Sequence, residues 1–190
     1  MSAIAVLANA LRERTPRTVV DPTRSEAAVA VILVPGEEQL LLIRRAEHSR
    51  DPWSGQMGLP GGRRDASDAD LLATAIRETE EEVGLDLAAA ELLGALDDQA
   101  PTTPLLPPII VRPHVFLLGS VPDQLRLSGE VQYVRWAPLE DLRLPEVYRP
   151  YSFEHQGVQI TRPGYHLGND VVWGMTERIL TPLLGLLPRD

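Results

Sequence analysis

A chain of 190 residues with 44% hydrophobic content is sized for one domain with room for a terminal extension, and it is too apolar to be disordered. Its formal net charge of −9 makes it a poor general binder of nucleic acid or anionic membrane, so attraction for a phosphate substrate has to come from local arginines or bound cations. Cysteine is absent, which excludes disulfides, thiol nucleophiles and Cys-type zinc sites; all 18 basic residues are arginine, which excludes a Schiff-base or P-loop lysine.

Residues 3–14 predict a short amphipathic helix, and the absence of a basic stretch before them argues against a signal peptide. Residues 15–26, with Pro16 and Pro22, read as a connector, which divides the chain into an N-terminal helix and connector (1–26) and a main domain (27–190). No apolar run approaches the ~20 residues of a membrane span, and the expected location is cytoplasmic. The apolar runs 27–34 and 39–45 predict strands paired as a hairpin across Pro35-Gly36. Residues 46–69 contain Pro52, Pro60 and four glycines and predict a long functional loop. A helix is expected over 70–83, capped by Asp68 or Asp70 and stopped by Gly84. Strands follow at 91–98, 109–118 and 131–138, with a proline-rich loop at 100–108. A hairpin around Gln156-Gly157 spans 151–160, and a last helix spans 169–181, with Pro182 interrupting or kinking it. This order predicts an α/β protein, a mixed sheet packed between helices.

The chemistry concentrates in residues 58–85. At about 100° per residue, Leu72, Ile76, Thr79 and Val83 form one helical stripe, while Glu78, Glu81 and Glu82 fall on the opposite face. Glu78 and Glu82 are like charges at i,i+4, destabilising by roughly 0.2–0.5 kcal/mol unless compensated. A solvated acidic face with an Arg77–Glu81 pair is one reading. The other is a divalent-cation site, because hard cations take carboxylate oxygens and complete their shell with water and phosphate. The preceding Leu59-Pro60-Gly61-Gly62 turn is poor in side chains and brings bare backbone close to a metal or phosphate.

Turn and helix together resemble the Nudix box, here Gly62, then Asp65 or Asp68, then Arg77-Glu78-Thr79-Glu80-Glu81-Glu82-Val83-Gly84-Leu85. The spacer after Gly62 is one residue longer than usual, an aspartate stands for the upstream glutamate, and Thr79 takes an apolar position. The resemblance implies a Nudix-type α/β/α sandwich and hydrolysis of nucleoside diphosphates linked to a further group, with Mg2+ or Mn2+. It implies that Glu78, Glu82 and the Gly62 carbonyl hold metal. It makes Glu81 a ligand or the base that activates water, and Arg77 the group that orients the glutamates. Family members often add a glutamate from a later loop, a position Glu130 fits. Nudix proteins are often dimers, so a homodimer is implied too, with the first and last helices as candidate contacts.

Residues 41–62 further resemble the coenzyme A diphosphatase branch: Leu41, Leu42, Arg45, Gly55, Gln56 and Pro60-Gly61-Gly62 match, while Ile43, Ala46 and Leu59 depart from it. The Trp173-Gly174-Met175-Thr176 segment is similar to that branch's closing helix. Arg44, Arg45, Arg50, Arg63 and Arg64 cluster around the loop, and Arg44, Arg45, Arg50, Gly61 and Arg63 are the expected substrate contacts. Other readings are hydrolysis of ADP-ribose, a dinucleotide or a triphosphate, and a non-catalytic nucleotide sensor; an isoprenoid isomerase is disfavoured by the missing cysteine. Trp53 is a candidate stacking residue, Trp173 is read as helix packing, and His114 and His155 receive no role.

Overall fold

The computed structural model describes residues 2–47, 54–101, 107–155 and 157–188. Among them the elements run α1 (Ala3–Glu13), β1 (Ser25–Val34), β2 (Gln39–Arg45), β3 (Met57–Gly58), β4 (Gly61–Arg63), α2 (Leu71–Val83), β5 (Glu91–Ala95), β6 (Ile109–Leu117), β7 (Val131–Pro138), α3 (Leu139–Arg143), β8 (Tyr148–His155), β9 (Val158–Leu167), β10 (Asp170–Trp173) and α4 (Gly174–Leu184). β1 pairs in parallel with β6 and antiparallel with β2 and β4, so the main sheet is mixed, as expected. β8, β9 and β10 form a second, antiparallel sheet.

Strand periodicity builds two cores, one on each face of the main sheet. Val31, Leu33, Leu40 and Leu42 meet α1 and α4, through Ile4, Leu7 and Leu11 and through Ile179, Leu180 and Leu183. The alternate residues Ala28, Ala30, Ile32, Leu41 and Ile43 meet α2 through Leu71, Ala75 and Val83. The result is helix, sheet and helix in layers. The apolar stripes of α1 and α4 are thereby consumed inside the chain, so they are not the free dimer surfaces expected above. No helix among the described residues is long and apolar enough to cross a membrane.

Several boundaries differ from expectation. Residues 170–173 are strand, not helix: Asp170 through Trp173 pair with β9, and the helix begins only at Gly174, whose φ of 69° makes the turn. α4 then runs through Pro182 to Leu184. The predicted loop 46–69 contains two short strands, and together they set the site. β1 stays beside β2 only at Leu33 and Val34; further along its edge, Ala27, Ala28 and Val29 pair with Arg63, Gly62 and Gly61 instead. Meanwhile Met57 and Gly58 pair with β2. Residues 57–63 therefore cross from β2 to β1 at the point where those strands diverge. Arg50 and Trp53 lie outside the described residues.

Candidate active site

Helix α2 is fixed at both ends. The Asp70 side chain accepts from the Ala73 N–H at 2.8 Å, and Gly84, at φ 67°, sends its N–H to the Glu80 carbonyl at 2.9 Å. Its buried residues are Leu71, Thr74, Ala75, Thr79, Glu82 and Val83. This corrects the predicted stripe, because Leu72 and Ile76 are only half-buried and Glu82 sits near the middle of the inward face. Sequence hydrophobicity misplaces that face because a carboxylate occupies it.

Buried Glu82 is answered by backbone. One oxygen accepts from the Gly61 N–H at 2.9 Å, and the other lies 3.4 Å from Arg45 Nη1. Burial nevertheless raises its pKa to about 7, helped by the Glu78 and Glu130 carboxylates. Glu78 is raised in the same direction, by burial first and then by Glu81 and Glu130. Four carboxylates thus crowd one another electrostatically. The loop bearing Glu130 is tied to the end of α2, with Arg126 N donating to the Val83 carbonyl and Ser128 N to the Glu82 carbonyl.

Arg77 joins the acidic groups. It donates Nε and Nη2 to the two Asp68 oxygens at 2.9 Å each, and Nη1 to Glu78 at 2.9 Å and to Glu81 at 3.1 Å. Nη2 also reaches the Arg63 carbonyl at 3.1 Å. Of the two candidate aspartates, Asp68 is therefore the partner of Arg77, and that guanidinium holds its carboxyl well below the usual range. Asp65 instead closes a local turn with Ser67.

The two glycines do different jobs. A Cβ on Gly61, at φ 152°, would lie 2.3 Å from the Ala28 carbonyl, so Gly61 is required by the β1–β4 pairing. A Cβ on Gly62 would lie 2.4 Å from the Glu78 carboxyl carbon, so the bare backbone there is the seat of that carboxylate.

Gly61, Gly62, Arg45, Arg63, Glu78, Glu81, Glu82 and Glu130 all line one cavity of about 450 Å³. Arg44 does not line it. Arg44 and Arg45 are successive residues of β2 and point to opposite faces, the extra residue of the adjoining bulge, Gln132, being on β7; Arg44 faces Tyr133 across the ladder and lies by Gly55. The same cavity is lined by residues outside the expected site set, Gln56, Gly58, Met175 and Thr176 among them. Trp173 is there as well, at the end of β10, its ring 4.3 Å from Phe153 and 5.8 Å from Tyr151, so it is a rim residue and not helix packing. In the sequence, the Gly55-Gln56 match and the WGxT resemblance hinted at these residues.

Among the described residues no three carboxylate or imidazole groups converge into a ready-made metal cage. Glu81 is 60% exposed and turned to Arg77, whereas Glu78 and Glu82 are 18% and 5% exposed. The donor set still fits a hard cation. Mg2+ is usually held by one or two carboxylates with water and substrate phosphates completing the shell. The crowded negative charge on Glu78, Glu82 and Glu130 and the Gly62 backbone pressed on Glu78 supply that chemistry.

A family model for the NUDIX domain matches residues 24–155. The chain belongs to the Nudix family of pyrophosphohydrolases. An uncharacterized Nudix hydrolase of Enterobacter sp. (strain 638), NudL, is 35% identical over 188 residues, covering 94% of this chain and 91% of that one. An uncharacterized protein of Schizosaccharomyces pombe is 37% identical over 158 residues, 72% of this chain; the match spans about half of the yeast protein, 48%. Among solved structures, the MutT/nudix family protein of Enterococcus faecalis aligns with TM-score 0.55 and 19% identity over 95% of this chain and 67% of that one. The NUDIX domain of Shewanella oneidensis NrtR, complexed with ADP ribose, aligns with TM-score 0.50 and 23% identity over 76% of this chain and 89% of that one. These two likenesses are likenesses of fold. Nudix hydrolases use divalent metal ions, and in this Nudix chain the box helix and its glycine turn face the cavity just described.

Proposed function

We propose that this Nudix chain hydrolyses the diphosphate of coenzyme A or a derivative, releasing 3′,5′-ADP and 4′-phosphopantetheine, with Mg2+ or Mn2+ as cofactor. The observation that supports the substrate is a second group of residues lining the cavity. The two segments that resemble the coenzyme A branch, Gly55-Gln56 and Trp173–Thr176, lie far apart in sequence, yet Gln56, Trp173 and Thr176 line the same cavity as Glu78 and Glu82. A Cβ on Gly58 would lie 3.9 Å from Thr176 Oγ1, so the segments adjoin.

Glu78, Glu82 and the Gly62 carbonyl would hold the metal, with Glu81 as a further ligand or the base. When bound, the ion neutralises phosphate charge and lowers the pKa of a coordinated water. The chain's own groups do the rest. Arg77, anchored on Asp68, fixes Glu78 and Glu81 in orientation. Glu81 or Glu130 takes a proton from the attacking water, whose oxygen adds to one phosphorus as the bridging P–O bond breaks and the second phosphate leaves. Arg45 pairs with the remaining phosphate oxygens of the diphosphate, and Arg63 serves another part of the substrate.

The test is incubation of the protein with coenzyme A, ADP-ribose, dinucleotides and triphosphates, with and without Mg2+, followed by product identification. Metal-dependent appearance of 3′,5′-ADP is expected. Turnover of ADP-ribose but not coenzyme A would reject the assignment, and binding without turnover across the panel would make the domain a sensor.

A further inference from the structure

Beside the catalytic cavity lies a second hollow of about 430 Å³, lined by Arg24, Ser25, Glu26, Arg63, Arg64 and Asp65. Arg63 lines both, so the two hollows adjoin at that residue. The strand register explains this. Arg63 stands opposite Ala27, and directly opposed residues project to the same face. Its side chain therefore joins those of Ala27 and Val29, which floor the catalytic cavity, and that of Ser25. From Ala28, opposite Gly62, to Ser25 is three strand residues, about 10 Å along the ladder.

The charges of the hollow are unequally satisfied. Arg64 is paired with Glu26 at 2.8 Å and also donates to the Asp68 and Ala69 carbonyls. One Asp65 oxygen is taken by the Ser67 turn. Arg24 is held in place by Asp21 at 3.1 Å and the Pro101 carbonyl at 2.9 Å, and its side chain is only 18% exposed. The guanidinium of Arg63 is exposed and makes no hydrogen bond or ion pair among the described residues. One anchored and one unengaged guanidinium thus face the same hollow, in a chain of net charge −9.

We propose that Arg24 and Arg63 form a second anion subsite that receives a phosphomonoester of the substrate, one sugar removed from the diphosphate being cut. The site thereby selects nucleotides that carry such an extra phosphate. A phosphomonoester brings close to two negative charges and three acceptor oxygens, which suit two guanidinium forks. The inference rests on the reading above that a nucleoside diphosphate lies over the box glutamates, and it names the feature of that nucleotide which the chain recognises.

The experiment compares coenzyme A with dephospho-coenzyme A, which lacks only the 3′-phosphate, in wild type, Arg63→Gln and Arg24→Gln. The wild type should favour coenzyme A in kcat/KM by at least about tenfold, and each variant should lose most of that ratio through KM. Thermal melts check that the variants fold. Equal use of the two substrates by the wild type, or variants that lower both activities in the same proportion, would overturn the proposal. If neither compound is cleaved, the functional assignment fails, and binding of 3′,5′-ADP against 5′-AMP still decides the subsite: about tenfold tighter binding of 3′,5′-ADP that Arg24→Gln abolishes supports it, and equal binding rejects it. Inorganic phosphate separates a substrate group from a free anion. Inhibition competitive with coenzyme A and absent with dephospho-coenzyme A supports the subsite; equal inhibition of both, with no preference between them, assigns the hollow to free phosphate and contradicts it.

Discussion

Replacing Gly62 by alanine adds one methyl group where the Glu78 carboxylate rests. The added Cβ would lie 2.4 Å from the carboxyl carbon and from one of its oxygens, whereas ordinary contact begins at 3.4 Å. The carboxylate therefore has to retreat by about 1 Å, and a misplacement of that size in a reacting site costs on the order of a hundredfold in rate. Gly62 is not in the left-handed region, so alanine brings no backbone strain, and the fold should persist with a slightly lowered melting temperature. Gly61→Ala is the contrast: its Cβ would meet backbone, 2.3 Å from the Ala28 carbonyl and 2.6 Å from Val29 Cα, so that variant should lose stability as well as activity. The assay is steady-state turnover with Mg2+ alongside a thermal melt of each variant. A Gly62→Ala protein with kcat within about threefold of wild type would refute the claim that this glycine seats Glu78 for catalysis.

Glu82→Gln keeps the acceptor for the Gly61 N–H but removes the charge, so turnover should fall by several orders of magnitude while the melting curve stays close to wild type. Asp68→Asn loosens the Arg77 anchor and should lower kcat by about ten- to a hundredfold with little change in KM, measured on the same substrate. His114 is buried, its Nδ1 has no hydrogen-bond partner among the described residues, and burial depresses its pKa from 6.5 to about 4. Between those values the unfolded chain binds the proton and the folded chain does not, so stability falls as pH drops from about 6.5 to about 4, by on the order of 3 kcal/mol. Chemical denaturation of His114→Gln across that range should show a flatter profile than wild type; identical profiles would contradict the assignment.

Much of this architecture is written in residue order. The unbroken apolar runs of β1 and β2 announce a strand pair buried on both faces, and Asp70 and Gly84 mark the ends of α2. The identity of the box residues was equally legible, because a long motif needs no knowledge of packing. What escaped depends on tertiary pairing. Met57–Gly58 and Gly61–Arg63 are too short and glycine-rich to read as strands, and only the divergence of β1 from β2 gives them partners. Glu82 lies on the buried face of α2 because the Gly61 N–H waits for it there, an interaction invisible to hydrophobic periodicity. Asp170–Trp173 reads as a helical start, yet the ladder with β9 claims it and carries Trp173 to the cavity rim. The choice of Asp68 over Asp65 depends on the reach of the Arg77 fork, which sequence spacing does not contain.

The central claim is that the acidic face of α2 beside Gly62 gathers cations that grip a diphosphate. Its most direct test is a crystal grown with Mn2+ and a non-hydrolysable diphosphate nucleotide, read by anomalous scattering. The account predicts manganese bonded to oxygens of Glu78 and Glu82 and to the nucleotide's phosphates, with Arg77 still on Asp68. Manganese elsewhere, with Glu78 still bound to Arg77 and Glu82 to the Gly61 N–H as they are now, would contradict it.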